Sequence, residues 1–147
     1  MPHQNSQLWF HIIWTTKNRE PVFTREMLVH KLAPLLILIS KENEIDLLFM
    51  NGYKEHLHCL VRLRSTQSIA RVVQKLKGVS GRRINEQCWF PFEFNWQVGY
   101  SAFSVSPDRV PTVINYIKKQ WDKHQKMDFS SELNYLEQNS HHHQPTT

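Results

Sequence analysis

Tyr53-Lys54-Glu55-His56-Leu57-His58-Cys59-Leu60-Val61-Arg62-Leu63 is the stretch on which the reading of this chain turns. Leu57, Cys59, Val61 and Leu63 alternate with His56 and His58. Successive side chains on a β-strand point to opposite faces, so residues two apart share one. The run therefore predicts a strand with one apolar face, from whose other face both imidazoles project together. Cys59 falls on the apolar side and reads as a buried thiol. Two neutral imidazoles side by side suit a divalent metal. Two unrelated polar residues on a solvated strand face would give the same pattern.

Working outward, residues 45–50 predict a second strand, and Asn51-Gly52 is a hairpin-turn signal that would set it antiparallel to the first. The aromatic and β-branched run Leu8 to Thr15 predicts another strand. Between them, Leu28, Leu32, Leu35, Leu36 and Ile39 fall at helical spacing over residues 24–42, with Pro34 demanding an irregularity. Downstream, Thr66 or Ser68 can cap a helix carrying Ile69, Val72, Val73 and Leu76, its end loosened by Gly78 and Gly81. Residues 92–96 and 100–105 read as strand material around Gly99. Ser106-Pro107 opens a last helix running to about Lys126.

The order strand, helix, strand, strand, helix, strand is that of an α+β, ferredoxin-like (RRM-like) fold: an antiparallel sheet with helices on one face, here with an added C-terminal helix. In that topology the first and third strands are the central pair. The histidines would sit mid-sheet beside His11, on the open face. Residues 1–130 form the expected single domain. Residues 131–147 read as a polar, mobile tail, and its run His141-His142-His143 as incidental rather than a metal site.

Composition bounds the function. The chain has 147 residues, 40% hydrophobic, with 5 Trp and 8 Phe, enough for one core. Its formal charge of +5 favours polyanionic partners, nucleic acid first. Cys59 and Cys88 make neither a disulfide framework nor a zinc ribbon. No signal pattern opens the chain, and the longest apolar run, Leu35 to Ile39, is too short to span a bilayer. A cytoplasmic protein without membrane contact is the expectation.

The last predicted helix carries an apolar stripe of Val110, Val113, Ile114, Ile117 and Trp121. Tyr116 lies roughly 120° off its centre and Gln120 roughly 80° off. Being four apart, they are neighbours on one flank. A surface tyrosine beside a surface glutamine would look the same. Taken with the His pair, they make a chemical set. Two imidazoles and an amide oxygen can hold Mg²⁺ or Mn²⁺ and leave positions open for a phosphate. A tyrosine one turn away can attack phosphorus.

The segments Trp14-Thr15-Thr16-Lys17-Asn18-Arg19-Glu20-Pro21-Val22-Phe23, His56-Leu57-His58-Cys59-Leu60-Val61, Trp96 to Ser106 and Tyr116-Ile117-Lys118-Lys119-Gln120 together resemble the single-tyrosine transposases of the HUH endonuclease superfamily. These small enzymes move insertion sequences as single-stranded DNA, and REP-associated tyrosine transposases are among their relatives. The resemblance implies that His56, His58 and Gln120 are metal ligands and that Tyr116 is the nucleophile of a 5′-phosphotyrosine intermediate. It also implies single-stranded DNA with hairpins as substrate, and a homodimer in which the tyrosine helix can serve the partner's His pair. Relatives often carry paired histidines after the glutamine, where this chain has Lys123-His124, which leaves His124 without an assigned role. Lys75, Lys77, Arg82, Arg83, Lys118 and Lys119 are the expected phosphate contacts. Trp89 and Phe90 are candidates for stacking on unpaired bases. The other readings are a ferredoxin-like nucleic-acid binder without catalysis, and a domesticated relative acting on dispersed repeat hairpins.

Overall fold

The computed structural model describes residues 8–124 and 127–143. Strands β1 (Leu8–Thr15), β2 (Asp46–Gly52), β3 (His56–Leu63) and β4 (Ser101–Val105) form one sheet in the order β2-β3-β1-β4. Each neighbouring pair is antiparallel. This is the ferredoxin-like topology, with β1 and β3 central.

Between β1 and β2 the chain is helical, as α1 (Arg25–Met27), a π-turn (Leu28–Leu32) and α2 (Ala33–Glu42). The irregularity demanded by Pro34 is that π-turn. Pro34 brings no N–H of its own, and the wider turn before it absorbs the clash its ring would make with the preceding turn. Thr24 caps α1 by accepting from the Met27 N–H at 3.1 Å. Helix α3 (Ile69–Glu86) is capped by Ser68, which accepts from the Arg71 N–H at 3.2 Å. It runs unbroken through Gly78 and Gly81, so the loosening expected there does not occur. A Cβ at Gly81 would stand 3.5 Å from Trp96 Cδ1, in ordinary van der Waals contact.

Two further sequence expectations are corrected. Asn51 and Gly52 are the last paired residues of β2, opposite His58 and Leu57, and the turn falls on residues 53–55. Glycine is needed at 52 because a Cβ there would run into the His56 carbonyl oxygen. Residues 92–96 form no strand; Trp96 alone bridges Thr16.

The strand register sorts the side chains into two layers. Ile12, Trp14, Leu57, Cys59 and Val61 face α2 and α3 and build the main core with Leu36, Ile39, Val73 and Leu76. The opposite face carries His11, Ile13, His56, His58 and Leu60, placed by the pairings His11↔Leu60 and Ile13↔His58. That face is not open, contrary to expectation. Helix α4 (Val110–Lys118) lies over it, with Ile117, Leu60 and Val105 forming a second, smaller core.

The last predicted helix is divided. A 3₁₀ turn (Pro107–Arg109) leads into α4, Lys119 breaks the helix, and α5 (Gln120–Lys123) follows. Lys126, its expected end, lies outside the described residues. The segment expected as a mobile tail is helical where described, as α6 (Phe129–His143). Asp128 caps α6, its Oδ1 accepting from the Ser131 N–H at 2.8 Å and its carbonyl from the Glu132 N–H at 3.1 Å. Among the described residues no helix is long and apolar enough to cross a membrane.

Candidate active site

Strand alternation delivers His56 and His58 to the face covered by α4, α5 and α6, where both are fully buried. The partners of their Nδ1 atoms orient the rings. His56 Nδ1 lies 2.8 Å from Glu55 Oε1. A carboxylate only accepts, so the imidazole donates and the ring is fixed with Nε2 pointing inward. His58 Nδ1 lies 2.7 Å from His11 Nε2, which aims its Nε2 at the same centre. A hydrogen bond on the outer nitrogen of a ligating histidine is the usual way proteins fix its ring and raise its basicity.

The third ring is His124, at the end of α5, its centroid 4.4 Å from that of His56. The centre on which these rings converge holds Glu132 of α6. Its Oε1 lies 2.7 Å from His124 Nε2 and 3.3 Å from the Nε2 atoms of both His56 and His58. Its Oε2 accepts from Gln120 Nε2 at 2.8 Å and from the Tyr116 hydroxyl in a short hydrogen bond. Gln120 Oε1 is 3.3 Å from His56 Nε2. Tyr116, Gln120, His56 and His58 of a single chain therefore meet at one point.

The charges follow from this packing. Burial alone would raise the Glu132 carboxyl, but hydrogen bonds from His124, His56 and His58 outweigh it and hold the group ionised, well below the usual carboxylate range. Burial works to lower His56, yet its hydrogen bonds to Glu132 and Glu55 prevail and raise it above the ordinary histidine value. His58 is pushed down to about 4, chiefly by burial. His11 is held well below its ordinary value by burial and by His58. Burial, and then the charge of Glu132, push the Tyr116 phenol up, so it is protonated at neutral pH.

The donor chemistry fits a divalent ion. One ligand atom from each of His56, His58, His124 and Glu132 lies within 4.8 Å of all the others, and all four residues are buried. Gln120 adds a neutral oxygen. A buried carboxylate among imidazoles is what a dication compensates.

The basic residues divide between the two faces. Lys118 and Lys119 are exposed beside the site. Lys75, Lys77, Arg82 and Arg83 lie on α3, across the sheet. Of these, Lys77 donates to the Gln97 and Gly99 carbonyls at 2.6 and 2.7 Å, and Arg83 pairs with Glu42 at 2.8 Å. Trp89 and Phe90 are half-buried against the main core. Beside the site, a cleft of about 550 Å³ runs between Asn18, Arg19, Gln97–Ser101 and α6.

Sequence reasoning missed Glu132 and left His124 unassigned. The signal for α6 was present in Asp128 as a cap and in Phe129, Leu133 and Leu136 at helical spacing, with Glu132 inside that stripe.

A His pair on a central strand of a ferredoxin-like sheet, met by a tyrosine and a glutamine one turn apart, defines the class of single-tyrosine HUH transposases. The chain belongs to the IS200-like transposase family, whose sequence model matches residues 4–120. It is 30% identical to the ISDra2 transposase TnpA of Deinococcus radiodurans over 124 residues, covering 80% of this chain and 86% of that protein. A crystal structure from D. radiodurans R1, provisionally described as a transposase, superposes with a TM-score of 0.64 at 25% identity, covering 82% of this chain and 96% of the other. A REP-associated tyrosine transposase bound to a REP hairpin shares the fold, with a TM-score of 0.55 at 12% identity over 81% of this chain and 69% of that one.

Proposed function

We propose that this transposase cuts and rejoins single-stranded DNA at hairpin-bearing element ends through Tyr116. The observation that carries the reading is the docking of the Tyr116 hydroxyl on Glu132 beside His56 and His58, within one chain. In the first step the Tyr116 oxygen bonds to the scissile phosphorus and the bond to the 3′-oxygen breaks. The products are a 5′-phosphotyrosine and a free 3′-hydroxyl. Attack by another 3′-hydroxyl reverses the exchange and restores the tyrosine. One phosphodiester is traded for another, so no nucleotide hydrolysis is needed.

His56, His58 and Gln120 would hold Mg²⁺ or Mn²⁺, which when bound polarises the phosphate and offsets charge in the transition state. Glu55 and His11 keep the two imidazoles aimed inward. Glu132 orients the phenol and lies on the path by which its proton leaves. Lys118 and Lys119, on the face of the site, and Lys75, exposed on α3, supply phosphate contacts; Arg82, loosely paired with Glu86 at 3.9 Å, and Lys77 and Arg83, tied to protein partners, add charge. A homodimer fits this reading. The contact of Tyr116 with Glu132 beside the same chain's His pair supports a first cut made in cis.

The test is covalent capture on labelled hairpin oligonucleotides from the DNA flanking the gene, with Mn²⁺ or Mg²⁺. A protease-sensitive band that survives denaturation and disappears in Tyr116→Phe and with chelator supports the reading. Tight hairpin binding without any band would favour the non-catalytic binder.

A further inference from the structure

We infer that Glu132 and His124 are metal ligands in their own right, so that the centre is a three-histidine, one-carboxylate site completed by α5 and α6. The inference deepens the metal reading proposed above and depends on it. The family match ends at Gln120, so both residues lie beyond the matched segment.

The geometry favours ligation over an incidental contact. Donors bound to one small dication at about 2.0–2.2 Å stand roughly 3–4 Å apart. The four donor atoms here already lie within 4.8 Å of one another, so small movements close them around an ion. Glu132 is wholly buried. With Oε2 engaged by Tyr116 and Gln120, its Oε1 is the atom that faces the three imidazoles. The helix that presents it is fastened in place. Phe129 packs on His56 with ring centroids 4.6 Å apart, Arg19 lies over the Phe129 ring at 5.0 Å, and Arg19 donates to Ser130 Oγ at 2.9 Å.

Two consequences follow. Three imidazoles and a carboxylate form a nitrogen-rich set, which suits Mn²⁺ and other transition metals better than Mg²⁺, an ion that prefers oxygen and retains its waters. With Oε2 holding the Tyr116 hydroxyl and Oε1 among the imidazoles, Glu132 would also act as a positioning residue for Tyr116 when a metal is bound.

The test is Mn²⁺ binding to the full chain without DNA, by calorimetry and by the electron paramagnetic resonance signal of free Mn²⁺, on wild type and on Glu132→Gln, His124→Gln and His58→Ala. Near-ultraviolet circular dichroism checks that each variant is folded. The expectation is that wild type binds Mn²⁺ with millimolar Mg²⁺ competing poorly, and that Glu132→Gln and His124→Gln each weaken binding tenfold or more. The d–d absorption of bound Co²⁺ should change in the same variants. If His58→Ala loses the metal while Glu132→Gln binds as tightly as wild type or more tightly, Glu132 only fills the site and this inference alone fails. If wild type binds no Mn²⁺, or His58→Ala binds it equally well, the metal reading itself fails.

Discussion

Replacing Asn51 by alanine should loosen the helix that carries Tyr116 while leaving the sheet intact. Asn51 ends β2, and its Nδ2 donates to the Ile117 and Lys118 carbonyls, both at 3.1 Å. These belong to the terminal carbonyls of α4, just before the break at Lys119 that separates Tyr116 from Gln120. A neutral hydrogen bond contributes about 0.5–1.5 kcal/mol net, so the pair bounds the effect at roughly 1–3 kcal/mol. Asn51 is half-buried and water can replace part of the loss, which brings the expectation to about 1–2 kcal/mol. The equilibrium for local opening of α4 should then rise roughly 5- to 30-fold. Native-state hydrogen exchange reads this directly. Amides of α4 should lose that factor in protection, while β1 and β3 amides keep theirs. Adduct formation should slow by no more than the same factor, with hairpin binding unchanged. Unaltered protection in α4, or an equal loss across the sheet, would show that Asn51 does not hold the tyrosine helix.

Gly52→Ala should cost about 2 kcal/mol, read as a lower urea midpoint, because its Cβ would meet the His56 carbonyl; a midpoint equal to wild type would mean that the β2–β3 end adjusts freely. In metal-free protein His56 should cost stability above pH 6.5 and His58 below it. Raised His56 contributes stability that is full below its unfolded value near 6.5 and is lost as pH rises through its folded value. Lowered His58 withholds a proton that the unfolded chain takes up, costing about 3 kcal/mol as pH falls from 6.5 to about 4. A flat urea-midpoint profile across this range in chelator would contradict the buried, coupled histidines. Lys119→Ala should lower the salt dependence of hairpin binding by about one phosphate contact. Lys77→Ala, whose ammonium holds the Gln97 and Gly99 carbonyls, should instead disturb that loop and be visible in its hydrogen exchange.

The fold was legible where local pattern and global packing agree. The alternation in β3 announced one apolar and one histidine face, and Pro34 announced an irregular helix that the π-turn supplies. Asn51-Gly52 misled because a second demand on glycine, the close approach of the His56 carbonyl, outweighed its turn preference. Gly78 and Gly81 were absorbed into α3 because its apolar stripe continues through them to Ile84. In the site, strand and helix spacing singled out His56, His58, Tyr116 and Gln120 as candidates, and the fold brings the four together. Glu132 was hidden for a physical reason. A glutamate within an apolar helical stripe reads as surface until the chain folds back and sets three imidazoles around it. That convergence is long-range, and no local pattern encodes it.

The most direct measurement is mass spectrometric mapping of the protein after reaction with a hairpin oligonucleotide and Mn²⁺. The expected product is a nucleotide-bearing peptide whose modified residue is Tyr116, linked to a 5′-phosphate and absent from Tyr116→Phe. A modification at another residue, or a cleaved strand with no attached protein, would contradict it.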